Sequence, residues 1–215
     1  MKRQHILIFF LIIGSNIIMG TQCRKDYVTP KPTYKFVEKL TLTPYKKVYS
    51  INDTIWVQFQ TTDKSLYDQL SNRRISTDTT FLGGGFYYHR RYPIGNVQEF
   101  FCDVDIDNSL NPKFTTLYTW YNDLNFATNC NSNNYFFEVG FIPKMTGVYS
   151  IEPYLQAVPC ANKVNLNYTT TNFIFDLADC NKDVWLSIPP ASRGGELGST
   201  DVSIDKKEMF VFKVE

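Results

Sequence analysis

Residues 49–60 read Tyr-Ser-Ile-Asn-Asp-Thr-Ile-Trp-Val-Gln-Phe-Gln, and this stretch indicates the fold class most directly. Ile55, Val57 and Phe59 alternate with Trp56 and two glutamines, so the three aliphatic and aromatic side chains share one face of an extended strand. The Asn-Asp pair just before them is typical of a turn. A strand of this kind, apolar on one face only, is expected in an antiparallel sheet that packs on a second layer.

The same period of two recurs along the chain. Phe36, Leu40 and Leu42 share a face ahead of Pro44. Short runs rich in aromatic or β-branched residues, bounded by Gly, Pro, Asn or Asp, predict further strands at 86–89, 100–106, 135–142, 148–155, 172–177, 184–188, 202–204 and 209–214. Residues 64–70 are predicted to form two helical turns, and 113–126 is ambiguous. We therefore predict an all-β fold, an antiparallel β-sandwich in a single domain with little helix.

The N-terminal residues 1–22 are organised like a secretory signal. Lys2 and Arg3 precede an apolar run at 6–13, and Gly14, Ser15 and Asn16 interrupt it. A membrane-spanning helix needs about 20 consecutive apolar residues, more than this run offers. We therefore predict a signal peptide that is removed on export.

The residues that follow the signal predict a membrane anchor. Gly20-Thr21-Gln22-Cys23 resembles the lipobox of bacterial lipoproteins, which implies acylation of Cys23 and a membrane as partner through that lipid. Residues 23–34 then form the anchor and a proline-containing tether, and 35–215 form the β-sandwich domain. The expected location is the cell envelope, with the chain lipid-anchored to a bacterial membrane and facing the periplasm or the surface. The alternative is ordinary cleavage after Gly20, which gives a secreted protein.

The remaining cysteines are Cys102, Cys130, Cys160 and Cys180. They contain no C-x-x-C pair, so structural zinc is disfavoured, and two disulfides are the default for an exported protein. Three connectivities are open, and we prefer the neighbour pairing Cys102–Cys130 with Cys160–Cys180.

Charge argues against nucleic acid as a partner. Removal of residues 1–22 leaves 20 basic and 21 acidic side chains, a net charge of −1. A nearly neutral surface provides no electrostatic attraction for a polyanion.

Two local patterns add a resemblance to the fold prediction. Residues 49–57 resemble the start of an early core strand in bacterial immunoglobulin-like domains, and Gly147-Val148-Tyr149 resembles the start of strand F, where a tyrosine hydroxyl bonds back to the main chain. Their wide separation implies a decorated immunoglobulin-like sandwich with large insertions. With the tether and the tail at 179–195, the chain resembles cell-envelope lipoproteins of the Bacteroidetes type, which implies a location and a fold but no activity.

Two segments are candidate ligand surfaces. The first is Tyr88-His89-Arg90-Arg91, because arginine beside aromatic rings suits carboxylates, sulfates and sugars. The second is Tyr118 with Trp120, which would form a sugar-stacking platform if exposed. For both segments the alternative is a strand whose aromatic residues pack into the core.

Catalytic and metal sites are not expected. Asp103, Asp105 and Asp107 begin like a calcium loop, but the turn glycine and the terminal glutamate of such a loop are missing, so we expect no metal and no cofactor. His89 is the only histidine after the signal, and no G-x-S-x-G occurs.

The sequence therefore predicts an exported, non-catalytic binding or accessory module with a glycan or an envelope protein as ligand. One alternative is a structural envelope component without a small-molecule site. A hydrolase with two carboxylates in a cleft is the other.

Overall fold

The computed structural model describes residues 33–93, 123–160, 168–193 and 201–215. Within these ranges the chain forms twelve strands and three short helices. The strands are β1 (Tyr34–Thr43), β2 (Val48–Tyr49), β3 (Ile55–Gln60), β4 (Ser65–Asp68), β5 (Arg73–Ser76), β6 (Thr80–Tyr92), β7 (Asp123–Ala127), β8 (Phe136–Phe141), β9 (Gly147–Pro153), β10 (Gln156–Pro159), β11 (Tyr168–Phe175) and β12 (Phe210–Val214). The helices are α1 (Lys182–Leu186), α2 (Pro190–Arg193) and α3 (Asp201–Asp205).

The strands form two sheets, which confirms the predicted all-β sandwich. The first sheet has the order β5-β4-β1-β3-β8, and β11 also pairs with β1, in parallel. The second has the order β10-β6-β9-β12-β2, with β7 also paired to β6. β1, β3 and β8 therefore take the places of immunoglobulin strands A, B and E, while β6, β9 and β12 take those of C, F and G. The insertions that decorate this frame include the β4–β5 hairpin and the segment from β10 to α3.

The core lies between the two sheets because alternate side chains of each strand point inward. The predicted inward sets on β1 and β3 are buried, with Phe36, Leu40, Ile55 and Val57 at 0% exposure. Full burial of one such side chain contributes about 1.5–3 kcal/mol. Rings from both sheets interlock in this layer, as in the edge-to-face pairs Phe86–Phe137, Phe86–Phe141 and Tyr88–Phe141.

The tyrosine at the start of β9 behaves as the immunoglobulin resemblance implies. The hydroxyl of Tyr149 donates to the carbonyl oxygen of Met145 at 2.6 Å. Tyr49 makes a second bond of this kind, to the carbonyl oxygen of Pro44 at 2.5 Å. Each tyrosine ties the start of its strand to the preceding turn.

An additional layer covers the outer face of the second sheet. α1 packs beside β12, where the amide of Asn181 donates to the carbonyl oxygen of Val211 at 2.8 Å. Trp185 of α1 is 0% exposed, and its indole N–H donates to the carboxylate of Asp201 at 2.5 Å. At Val211 the outer face of β12 is consequently buried, whereas Lys213, two residues further on, remains exposed.

Three predicted elements are wrong. Residues 64–70 contain strand β4, not helical turns, because β4 pairs antiparallel with β5 and the Asp68 carboxylate accepts N–H groups of the turn between them. Residues 184–188 and 202–204 lie in or beside helices α1 and α3 instead of strands. Trp185 and Ile188 are both buried at a spacing of three, which places them on the same side of a helical turn.

The preferred disulfide pairing is also wrong. Cys130 bonds to Cys160, 30 residues away, and joins the loop after β7 to the end of β10. Cys180 is a buried free thiol, and its pKa is raised to about 12 by burial. Cys102 lies outside the described residues. The two bonded cysteines are neighbours in space, not the nearest in sequence. By the chain-entropy model, closing this loop adds about 3–4 kcal/mol to the free energy of unfolding.

Candidate functional site

The predicted ligand segment at 88–91 lies on β6, and strand alternation divides it between two faces. Tyr88 points toward the core, where its ring meets that of Phe141 at 5.8 Å. Arg90 is in phase with Tyr88, whereas His89 lies on the outer face. These residues therefore do not form one exposed arginine–aromatic surface, which corrects the sequence prediction.

Arg91 occupies a β-bulge on the outer face. The register between β6 and β9 shifts between Arg90 and Tyr92, which re-aims the side chain between them. The guanidinium of Arg91 bonds to the Ser150 hydroxyl and to the Glu152 carboxylate, and it lies 5.9 Å from the centre of the Trp185 ring. Only 7% of Arg91 and 15% of Glu152 are exposed. This cluster joins the sheet to α1 and is closed to a ligand.

His89 belongs to the same buried environment. Its ring lies 6.3 Å from that of Tyr87, which in turn stacks on Tyr154 at 4.2 Å. Burial is the main reason that the pKa of His89 falls to about 4, and the positive charge of Arg91 adds to the effect. The imidazole is therefore neutral at physiological pH.

We expect stability to fall as the pH drops from 6.5 toward 4, because His89 has an ordinary pKa of 6.5 when unfolded and about 4 when folded. In this window the unfolded chain binds the proton more readily, so the free energy of unfolding increases with pH. The full contribution is about 3 kcal/mol. Urea unfolding at about pH 7 and about pH 4.5 measures it, with His89→Gln as the variant that cannot titrate.

Comparison with this variant is needed because the titration of another buried group also changes stability with pH. Burial raises the pKa of Glu38, and a raised carboxyl pKa changes stability in the opposite direction. Both proteins carry Glu38, so its effect cancels in the difference. An identical pH slope in the wild type and His89→Gln would contradict this role of His89.

Several predicted site residues lie outside the described residues: Cys23, Asp103, Asp105, Asp107, Tyr118 and Trp120. Among the residues that the structure describes, no group of three or more histidine, cysteine, aspartate or glutamate side chains is arranged to hold a metal ion. The lipid and platform predictions therefore stay predictions.

A groove of about 220 Å³ provides a different candidate site. It lies where the edge of the second sheet, at β10, comes beside the edge of the first sheet, at β11. One wall is the turn from β9 into β10, residues 153–156, and the other is formed by residues 171–173 of β11 and by Glu208. A hydrogen bond joins the two edges, in which the N–H of Ala157 donates to the Thr171 hydroxyl oxygen at 3.3 Å.

The lining of the groove combines polar groups with aromatic residues. Its residues include Gln156 and Asn172 with their amides, Glu208 with its carboxylate, and the aromatic residue Tyr154. Phe173 also belongs to the lining, although its ring is buried in the core. Tyr154 is held in place because its hydroxyl donates to the Asn125 side-chain oxygen at 2.6 Å. A concave surface with a few convergent polar groups is the usual form of a binding site.

Sequence reasoning missed this groove. Its residues come from three separate parts of the chain, and no local motif marks any of them. The predicted strands at 148–155 and 172–177 contain two of these parts, but only the pairing of β10 with β6 and of β11 with β1 brings them together.

No protein-family model, curated protein or solved structure matches this chain. Among the described residues, none of the helices has the length and apolar character needed to cross a membrane.

Proposed function

We propose that this chain is an exported, lipid-anchored envelope protein whose β-sandwich domain binds a ligand non-catalytically in the groove between β10 and β11. The N-terminal part of the proposal rests on the signal-like residues 1–22 and on the lipobox that ends at Cys23. The binding part rests on one observation, a groove of about 220 Å³ whose lining residues carry amides, a carboxylate and the aromatic ring of Tyr154.

A disulfide and a ladder of backbone hydrogen bonds hold the two walls of the groove. The Cys130–Cys160 disulfide anchors the far end of β10, and the β1 ladder holds β11 along its length. A site on two supported strands is largely formed before the ligand arrives, which reduces the entropy cost of binding.

Binding is tested with the full chain, expressed with its own N-terminal residues and purified in detergent. It is applied to two panels, a glycan array and an array of short synthetic peptides. We expect binding to members of one panel, and we expect Asn172→Ala and Gln156→Ala each to weaken it about 3- to 10-fold, the effect of losing one neutral hydrogen bond.

Matched controls are available at exposed positions away from the groove. Asn133→Ala and Gln69→Ala make the same chemical changes and are expected to leave binding unchanged. If neither panel contains a ligand, or if a ligand binds equally well to both groove variants, the proposal fails. The structural envelope component then becomes the better description.

A further inference from the structure

The backbone of β11 presents one unpaired edge. In its parallel ladder with β1, the N–H of Asp176 donates to the carbonyl oxygen of Leu40 at 2.9 Å. Backbone groups alternate along a strand, so those of Thr171, Phe173 and Phe175 point away from β1. The bond from the N–H of Phe175 to the carbonyl oxygen of Lys207, at 2.8 Å, agrees with this direction.

Only the middle of this edge is open to the groove. At Phe175 the edge is bonded to the carbonyl oxygen of Lys207, and at Thr171 the side chain of the edge residue is bonded to β10. Between these points lies Phe173, which lines the groove and has a side chain buried in the core. Apart from the β1 ladder, and within the part of the chain that the structure describes, the N–H and C=O of Phe173 make no backbone hydrogen bond. Backbone groups at such a position normally bond to another main chain or to water.

The charge of the groove comes from Glu208. No basic side chain belongs to the groove lining, and Glu208 forms no ion pair with any residue that the structure describes. The backbone N–H of Glu208 donates to the carbonyl oxygen of Ser203 at 2.9 Å, which fixes the main chain at this position. A half-buried carboxylate in a groove without cations favours a ligand with a basic group.

We infer that the ligand is an extended peptide segment of another protein, which adds as a short strand to β11 and places a lysine or arginine against Glu208. The inference rests on the binding function proposed above and names its ligand class. The peptide carbonyl accepts the N–H of Phe173, and a peptide N–H donates to the carbonyl oxygen of Phe173. Main-chain bonds supply affinity in this mode, and the side chain near Glu208 supplies selectivity. The volume of about 220 Å³ is below the range of drug-sized sites and suits a short stretch of main chain.

The first test uses the best-binding synthetic peptide from the array and leaves the protein unchanged. Each backbone nitrogen of the peptide is methylated in turn, which removes one N–H at a time. We expect methylation to abolish binding at one position, the N–H that donates to the carbonyl oxygen of Phe173, and to be tolerated at the two adjacent positions, whose N–H groups face away from β11. A peptide whose binding is insensitive to methylation at every position, or equally sensitive at adjacent positions, overturns the inference.

The second test addresses the charge. We expect the bound peptides to share a lysine or arginine, and Glu208→Gln to weaken their binding about tenfold or more, as for loss of a charge-assisted hydrogen bond. Glu215→Gln, the same change at an exposed carboxylate outside the groove, is expected to have no effect.

The two panels separate the failure of this inference from the failure of the proposed function. Glycan binding that depends on Asn172 and Gln156, without peptide binding, overturns the inference and leaves the proposed function standing. Binding to neither panel overturns both.

Discussion

Replacement of Trp185 by alanine is expected to lower the free energy of unfolding by about 4 kcal/mol, within the range of about 3–5 for truncation of a large buried aromatic side chain. Trp185 is 0% exposed and is the largest side chain between α1 and the second sheet. It also holds two neighbours, because its N–H bonds to Asp201 at 2.5 Å and its ring contacts the guanidinium of Arg91. Urea unfolding of oxidised protein measures the change.

Two further variants separate the contributions of Trp185. Trp185→Phe retains most of the ring and loses the N–H donor, so we expect a smaller cost of about 1–3 kcal/mol. Leu186→Ala removes the adjacent side chain on the same helix, which is 45% exposed, and is expected to change stability by about 0.5 kcal/mol or less. If Trp185→Ala costs no more than Leu186→Ala, α1 does not stabilise the sheet as described.

The thiol of Cys180 reports on the same layer. It is 0% exposed beneath the start of α1, and burial keeps its pKa near 12, so it is expected to resist alkylation in the folded wild type. In Trp185→Ala, local opening of α1 should make Cys180 reactive under conditions where the sandwich remains folded. Mass spectrometry after alkylation identifies the modified residue.

The frame of the fold could be predicted from sequence because its strands bury one face. The alternation at Ile55, Val57 and Phe59 survives unchanged in β3, and the tyrosine bond at Tyr149 forms as the immunoglobulin resemblance implies. These signals are local, because both the alternation of apolar residues and the distance from a strand to its turn can be read from a few consecutive residues.

The insertions could not be predicted in this way. The run at 184–188 is too short for its period to distinguish a strand from a helix, and burial of Trp185 comes from tertiary contact with β6 and β12. The disulfide likewise depends on where the β7–β8 loop lies relative to β10. Long-range pairing of this kind leaves no mark on local sequence.

The segment at 88–91 is divided between two faces of β6, which composition could not predict because it does not reveal the direction in which a side chain points. Tyr88 and His89 are adjacent in the chain, but successive side chains of a strand point to opposite faces. The bulge at Arg91 then aims a third residue into a buried ion pair. The groove, by contrast, could not be predicted from local sequence. The backbone of Phe173 lies at an open edge of the sheet only because of the order in which the strands pair.

Arg91→Met is the second substitution expected to have a large effect, a loss of about 3–5 kcal/mol in the free energy of unfolding. The cost arises because the variant leaves the Glu152 carboxylate, which is 15% exposed, without the guanidinium that it bonds in the wild type. Methionine preserves much of the apolar stem that packs near Trp185, so the change mainly removes charge and hydrogen bonds. Urea unfolding at neutral pH measures the loss.

Lys39→Met is the matched control, because Lys39 pairs with Asp176 where the two side chains are 67% and 58% exposed. Exposed pairs contribute at most about 1 kcal/mol, so this variant is expected to remain close to the wild type. Arg91→Met combined with Glu152→Leu tests the cause of the larger effect, since removal of both charges leaves no buried carboxylate behind. We expect the double variant to recover more than half of the stability lost in Arg91→Met. If the double variant instead loses as much stability as the Arg91→Met and Glu152→Leu single variants together, the two charges do not stabilise each other. In that case the bulge and its packing against α1 stabilise the fold, and the ion pair only neutralises two charges that the bulge has buried.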